Sequence, residues 1–155
     1  RLPIDIGFTT TASVTPTPRL LARGAIYRAT IARHDSPIVY GYESATLPVY
    51  FNQAPVLAVT PRDTLQRDEG IDTAVVAARE RTRARAIVSY ARNAGDLLIS
   101  GLLANGEELA GKAAVVDAPL GKGHVVMFGI RPLWRWETQG TFALPLNAMA
   151  NWNHL

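Results

Sequence analysis

The chain has no cysteine among its 155 residues. That excludes disulfides, thiolate zinc sites, iron–sulfur clusters and a Cys nucleophile. It leaves the redox compartment open, because an oxidising compartment permits disulfides without requiring them. Charge of one sign is also scarce: the formal net charge is +3. The sequence pI is near 9.6, without the dense one-face basicity that points to nucleic acid. No apolar run approaches the length of about 18 residues that a membrane span needs, so no span is expected. The N-terminus, Arg1-Leu2-Pro3-Ile4-Asp5-Ile6, lacks a basic region followed by a long apolar stretch, so it does not read as a signal peptide. The chain begins without Met, and its simplest reading is a fragment of a longer protein. What is present is globular composition: 48% hydrophobic against 19% charged residues, which sets it apart from the disordered class. The length fits one domain, or most of one.

Along the chain, short strands dominate. Residues 8–18 combine hydroxyl side chains with Pro16 and Pro18, and residues 1–23 together read as loop or edge. Ala25 to Ile31 alternates as a strand does. Ile38 to Tyr42 is a short apolar piece after the turn Asp35-Ser36-Pro37. Leu47 to Phe51 and Val56 to Thr60 are two more strands. Residues 61–70 read as a charged loop, and Ile71 to Arg83 as a helix or an insert with a solvated charged face. Ala84 to Ala91 again alternates. Leu97 to Leu103 is apolar around Gly101, and the tight-turn signal Ala104-Asn105-Gly106 follows. Ala113 to Ala118 and His124 to Gly129 are strong strands. Their link, Pro119-Leu120-Gly121-Lys122-Gly123, has glycines where a hairpin needs positive φ. Phe142, Leu146, Met149 and Ala150 have helical spacing, which predicts a helix over 141–152 with Thr141 as N-cap. Pro145 then falls near the limit of what a first turn tolerates. The fold class is α/β (mixed), strand-rich and antiparallel, with a hairpin near 113–129, a C-terminal helix, and 61–83 as an insert in a single domain over 1–155.

The usual chemistries do not assemble. His34, His124 and His154 have no His or Glu partner at zinc-site spacing, and His124, inside a strand, reads as structural. Ser100-Gly101 sits outside the Gly-x-Ser-x-Gly pattern of a nucleophile elbow. Gly121-Lys122-Gly123 lacks the remainder of a phosphate loop and opens a strand rather than a helix. Glu107-Glu108 reads as a solvated corner rather than a facing pair of catalytic acids. No catalytic and no metal-binding residue is therefore assigned. One cluster remains: Arg131, Trp134, Arg135 and Trp136 just after a strand. Loops at strand ends carry binding groups, and Trp and Arg are enriched at interaction hot spots. The structural alternative is that the Trp rings cap the core and the Arg residues stack on them.

A family resemblance rests on longer stretches. These are Leu98-Ile-Ser-Gly-Leu-Leu-Ala-Asn-Gly-Glu-Glu-Leu-Ala-Gly-Lys-Ala-Ala-Val-Val-Asp117, Gly121-Lys-Gly-His-Val-Val-Met-Phe-Gly129, Pro132-Leu-Trp-Arg-Trp-Glu-Thr-Gln-Gly-Thr-Phe142 and Asn147-Ala-Met-Ala-Asn-Trp-Asn-His-Leu155. Together they resemble the C-terminal region of large bacterial zinc carboxypeptidases of the carboxypeptidase A-like metallopeptidase family. There a catalytic domain is followed by a region similar to class I glutamine amidotransferase folds. The likeness covers 84–155 most closely and 24–60 more loosely, where Asp35-Ser-Pro-Ile-Val-Tyr-Gly-Tyr42 and Leu47-Pro-Val-Tyr50 fit the same region. The family's zinc-binding His-x-x-Glu is not in this sequence, so no functional residue carries over. The amidotransferase nucleophile is a Cys, so that likeness implies no activity here.

The resemblance implies a non-catalytic accessory domain, the later part of an amidotransferase-like fold, in a periplasmic or extracellular metallocarboxypeptidase. Zinc is expected only in the parent's catalytic domain. The implied partners are the other domains of the parent chain, and a second copy that pairs through an exposed sheet edge. The competing reading is a ligand-binding module for cell-wall peptide or glycan, with Trp134 and Trp136 lining its groove.

Overall fold

A computed structural model describes residues 1–60, 74, 78 and 81–155. Eight strands form one sheet: β1 Ala12–Thr15, β2 Ala25–Ile31, β3 Thr46–Phe51, β4 Val56–Val59, β5 Arg85–Tyr90, β6 Leu98–Ser100, β7 Ala113–Leu120 and β8 Gly123–Phe128. A short helix, α1 (Leu2–Asp5), precedes them and α2 (Ala143–Ala150) ends the fold. The strand order is β1-β4-β7-β5-β2-β3, with β6 joined to β2 and β8 to β7. Every described pairing between strands is antiparallel. The mixed, strand-rich class expected from the alternation is thus the class observed.

The sheet cannot be flat. β8 and β3 lie on opposite margins, with β7, β5 and β2 between them, so a flat sheet would hold them four spacings, or about 19 Å, apart. Yet three residues beyond Phe128 the backbone N–H of Arg131 donates to the Tyr50 carbonyl of β3 at 3.1 Å. Three residues span at most about 11 Å. The margins must therefore curl toward each other. Register shifts between Ala86 and Val88 and between Val88 and Ser89, opposite β7, supply the bends, as bulges do.

The curl encloses the main core. Tyr27 meets Phe51 edge-on with centroids 6.1 Å apart, and Phe51 meets Tyr90 likewise at 5.9 Å, the edge-to-face geometry that ring quadrupoles favour. Val49, Val88, Val115, Ile38, Leu97 and Leu144 pack in the same cluster. A smaller cluster of Ala12, Leu57, Val116, Ala118 and Met127 occupies the reverse face of β7 and β8. Strand alternation does this sorting: Val116 and Ala118 face one way, while Val115 and Asp117 face the other.

Several sequence expectations need correction. Within residues 1–23 the edge alternative holds for 12–15, where β1 is the outermost strand and pairs with β4 from Ala12↔Val59 to Thr15↔Val56, and the short α1, which was not expected, precedes it. The apolar piece at 38–42 contributes a 3-10 turn, Pro37–Val39, capped by the Ser36 side chain, which accepts from the Ile38 N–H. The hairpin is tighter than expected, because β7 runs through Pro119 and Leu120 and only Gly121-Lys122 turn, with Gly121 at φ +60°. Thr141 is not the N-cap of the last helix. It closes a 3-10 turn, Gln139–Thr141, and Phe142 takes the cap position with no side-chain hydrogen bond. The later start places Pro145 in the first turn, where its missing N–H has no intrahelical role. The loop and helix-or-insert readings of 61–83 fall largely outside the described residues.

Candidate functional site

The Arg–Trp loop leaves β8 through the buried Ile130 and is built from two successive turns. The Trp134 N–H donates to the Arg131 carbonyl at 3.3 Å, and the Glu137 N–H to the Trp134 carbonyl at 3.0 Å. Arg135 and Trp136 both have positive φ, 44° and 61°, a conformation uncommon for residues other than glycine. Thr141 holds the loop from beneath. Its buried hydroxyl lies 2.8 Å from the Pro132 carbonyl and 2.7 Å from the Thr138 carbonyl, and its single proton serves one of them at a time.

This loop separates the two tryptophans that the sequence suggested would act together. The Trp134 ring lies parallel to Tyr50 of β3, at 7° and 6.4 Å between centroids. The guanidinium carbons of Arg131 and Arg135 sit 4.9 and 5.1 Å from the Trp134 centroid, within cation–π reach. For Trp134 the stacking of both Arg side chains on the ring, one part of the structural alternative, is observed. Trp136 is 70% exposed and touches Phe142 at 5.3 Å, with the exposed Leu133 on the same loop. Among the described residues neither Arg131 nor Arg135 forms a salt bridge. The loop thus offers solvent two cations fixed over one ring, and a second, open aromatic ring.

Sequence reasoning missed a second arrangement. Three neighbouring strands place Arg85, Asp117 and His124 in a row. Arg85 and Asp117 are direct partners across β5 and β7, and His124 is diagonal to Asp117 across β7 and β8, so all three share one face. Asp117 is 1% exposed. Arg85 donates from Nη2 to its Oδ2, and His124 Nδ1 lies 2.7 Å from its Oδ1. Arg85 Nε is buried without a partner. His124, which reads as structural from the sequence, has its Nδ1 engaged by Asp117.

His124 also begins the floor of a groove. His124, Val126 and Phe128 alternate onto one face of β8, and α2 with the residues after it forms the wall through Ala148, Met149 and Trp152. The groove holds about 470 Å³, within the range of small-molecule sites. Asn147 fixes the wall by donating to the carbonyls of Ile38 at 3.2 Å and Tyr40 at 2.8 Å. Beyond the groove's end at Leu155 lies a polar cleft that includes Arg33, Asp35, Arg85 and His154. There the Arg33 guanidinium holds the Asp35 carboxyl down at about 2.

Other sequence candidates are settled by contacts. Glu108 is not a solvated corner: it accepts from the backbone N–H groups of Arg19 and Leu20, at 3.2 and 2.9 Å, and from Arg19 Nε at 3.3 Å, tying the loop before β2 to the 3-10 turn Gly106–Glu108. Gly121-Lys122 is a hairpin turn. Among the described residues no three His, Cys, Asp or Glu side chains are grouped to hold a metal ion. Among the same residues no helix is long and apolar enough to cross a membrane. No protein-family model, curated protein or solved structure matches the chain.

Proposed function

We propose that this chain is a non-catalytic C-terminal accessory domain of a zinc-dependent carboxypeptidase, in which an upstream domain holds the zinc and hydrolyses the peptide. The observation that carries the reading is the Arg131–Trp136 loop. It is pinned from beneath and stacked from behind, yet presents Trp136 and Leu133 outward at 70% and 57% exposure. A rigid aromatic anchor with flanking cations is the composition of an interaction hot spot, and the other domains of the parent chain are its partner on this reading. The resemblance over 84–155 supplies the family. It leans on the peptidase half of that likeness, since an antiparallel sheet lends nothing to the amidotransferase half. The proposed location is periplasmic or extracellular, and a second copy pairs through the open edge of β8.

The test joins two measurements. The purified chain should release no C-terminal amino acids from peptides and retain no zinc after dialysis. The gene sequence upstream of Arg1 should encode His-x-x-Glu followed by a distal His. Stoichiometric zinc on the isolated chain, or an upstream region without those ligands, overturns the proposal. The second reading, a module for cell-wall peptide or glycan, is favoured by the open face of Trp136. Trp136→Ala would then abolish binding to peptidoglycan fragments, while Trp134→Ala, which strips the stack from Tyr50, would weaken it indirectly.

A further inference from the structure

We propose that the groove between β8 and α2 is a binding site for a small amphiphilic carboxylate, an aromatic or branched aliphatic body whose acid group meets His124 Nε2. The inference is independent of the accessory-domain reading.

The argument starts from the proton on His124. Asp117 is paired with the Arg85 guanidinium on one oxygen, and a carboxylate so paired only accepts. The Nδ1 that faces its other oxygen at 2.7 Å therefore carries a hydrogen. That leaves Nε2 as the free end of the ring. No described residue bonds it, and it is not among the buried atoms without a partner, so it is open to solvent on a residue that lines the groove. An imidazole held this way has a fixed orientation and one functional nitrogen, bare when neutral and a donor when protonated.

The walls decide the rest of the ligand. Val126, Phe128, Ala148, Met149 and Trp152 are apolar, and Trp152 is 71% exposed, so an aromatic or branched body has surface to cover. The charge balance selects the head group. Among the described residues no Asp or Glu side chain lines the groove. Facing His124 from β7 is Asp117, already committed to two partners, with Arg85 of β5 behind it. α2 itself, Ala143–Ala150, contributes no charged side chain, and His154, beyond it, lines the polar cleft that shares Leu155 with the groove. Lys122 adjoins the groove residue Gly123 in the turn before β8. With His124 protonated, the Arg85–Asp117–His124 row carries one net positive charge, which a single ligand carboxylate neutralises. A cationic or neutral head gains no such match.

The test uses 3-phenylpropionate and its uncharged analogue 3-phenylpropanol as probes of the unmodified chain. Calorimetry gives affinity, and the His124 ring resonances followed by NMR give both the site and its titration. The acid should bind about fivefold tighter at acid than at alkaline pH, because only a protonated ring has an Nε2–H to donate, whereas a bare Nε2 and a carboxylate are both acceptors. It should shift the His124 ring resonances, and the alcohol should do neither. His124→Gln should flatten the pH dependence while leaving weak binding, and Trp152→Ala should weaken both probes. Equal affinity for acid and alcohol overturns the proposal. So does an acid whose binding leaves His124 unmoved and shifts Trp134 or Trp136 instead, or a failure of the acid to bind at millimolar concentration.

Discussion

Burial pushes the phenols of Tyr27 and Tyr42 up to about 12, and that of Tyr90 well above the ordinary 10. Each hydroxyl also donates to a backbone carbonyl: Tyr27 to Leu102, Tyr42 to Gly140 and Tyr90 to Gly129. A phenolate cannot donate, so the folded state holds these groups neutral. Above pH 10 the unfolded chain loses the three protons while the folded chain keeps them. The stabilisation is complete below pH 10 and is lost as pH rises toward and through 12. The expected outcome is cooperative alkaline unfolding, with the ultraviolet phenolate signal of these three tyrosines appearing together with loss of structure. Tyr42→Phe should shift that transition upward in pH. Separate, gradual ionisation of all five tyrosines without unfolding would contradict it. Residue scale is also where the sequence was least readable. The Arg131, Trp134, Arg135 and Trp136 group was visible because four distinctive side chains adjoin one another. The Arg85–Asp117–His124 row was not, because its members lie 32 and 7 residues apart and meet only through strand register.

At the scale of elements, alternation was enough to read β2 and β5, whereas β7 reads as a continuous apolar run because both of its faces are buried. The start of α2 was misread for a physical reason: Thr141 looks like an N-cap, but its hydroxyl is engaged by carbonyls of the Arg–Trp loop. The glycine at 101, which ends β6, shows what local sequence cannot. It has φ +105°, and a Cβ there would lie 2.6 Å from Ala25 Cβ and 3.1 Å from Ala25 Cα. Gly121, by contrast, has φ +60° and open space around it. Gly121→Ala should therefore cost only the left-handed strain, about 1 kcal/mol. Gly101→Ala adds a clash with the β2 backbone and should cost about 3 kcal/mol. Urea unfolding of the two variants measures the difference, and equal losses would show that β6 gives way more easily than its packing against β2 implies.

For the whole molecule, the order of strands was beyond the sequence, since β2 pairs with β3, β5 and β6 and nothing local ranks those choices. Once the sheet is assembled, its margins are unequal. β3 carries Pro48 opposite Arg28, and the segment after β8 covers part of its outer side through the Arg131–Tyr50 bond, two devices that blunt an edge. β8 has neither. Among the described residues it pairs only with β7, and Gly123-His124-Val125-Val126-Met127-Phe128 contains no proline and no lysine. An unblunted apolar edge recruits another strand. Two copies meeting edge to edge at β8 would run antiparallel about a twofold axis, the self-complementary arrangement that closes and stops. Sedimentation equilibrium should therefore show a dimer of the 16.8 kDa chain at high concentration. Because the contact is made by backbone groups, replacing Trp136 should leave the dimer intact, whereas Val126→Pro, which removes an N–H from the edge strand, should disrupt it. A chain that stays monomeric at every concentration would show that β8 is kept from pairing by something other than its own sequence.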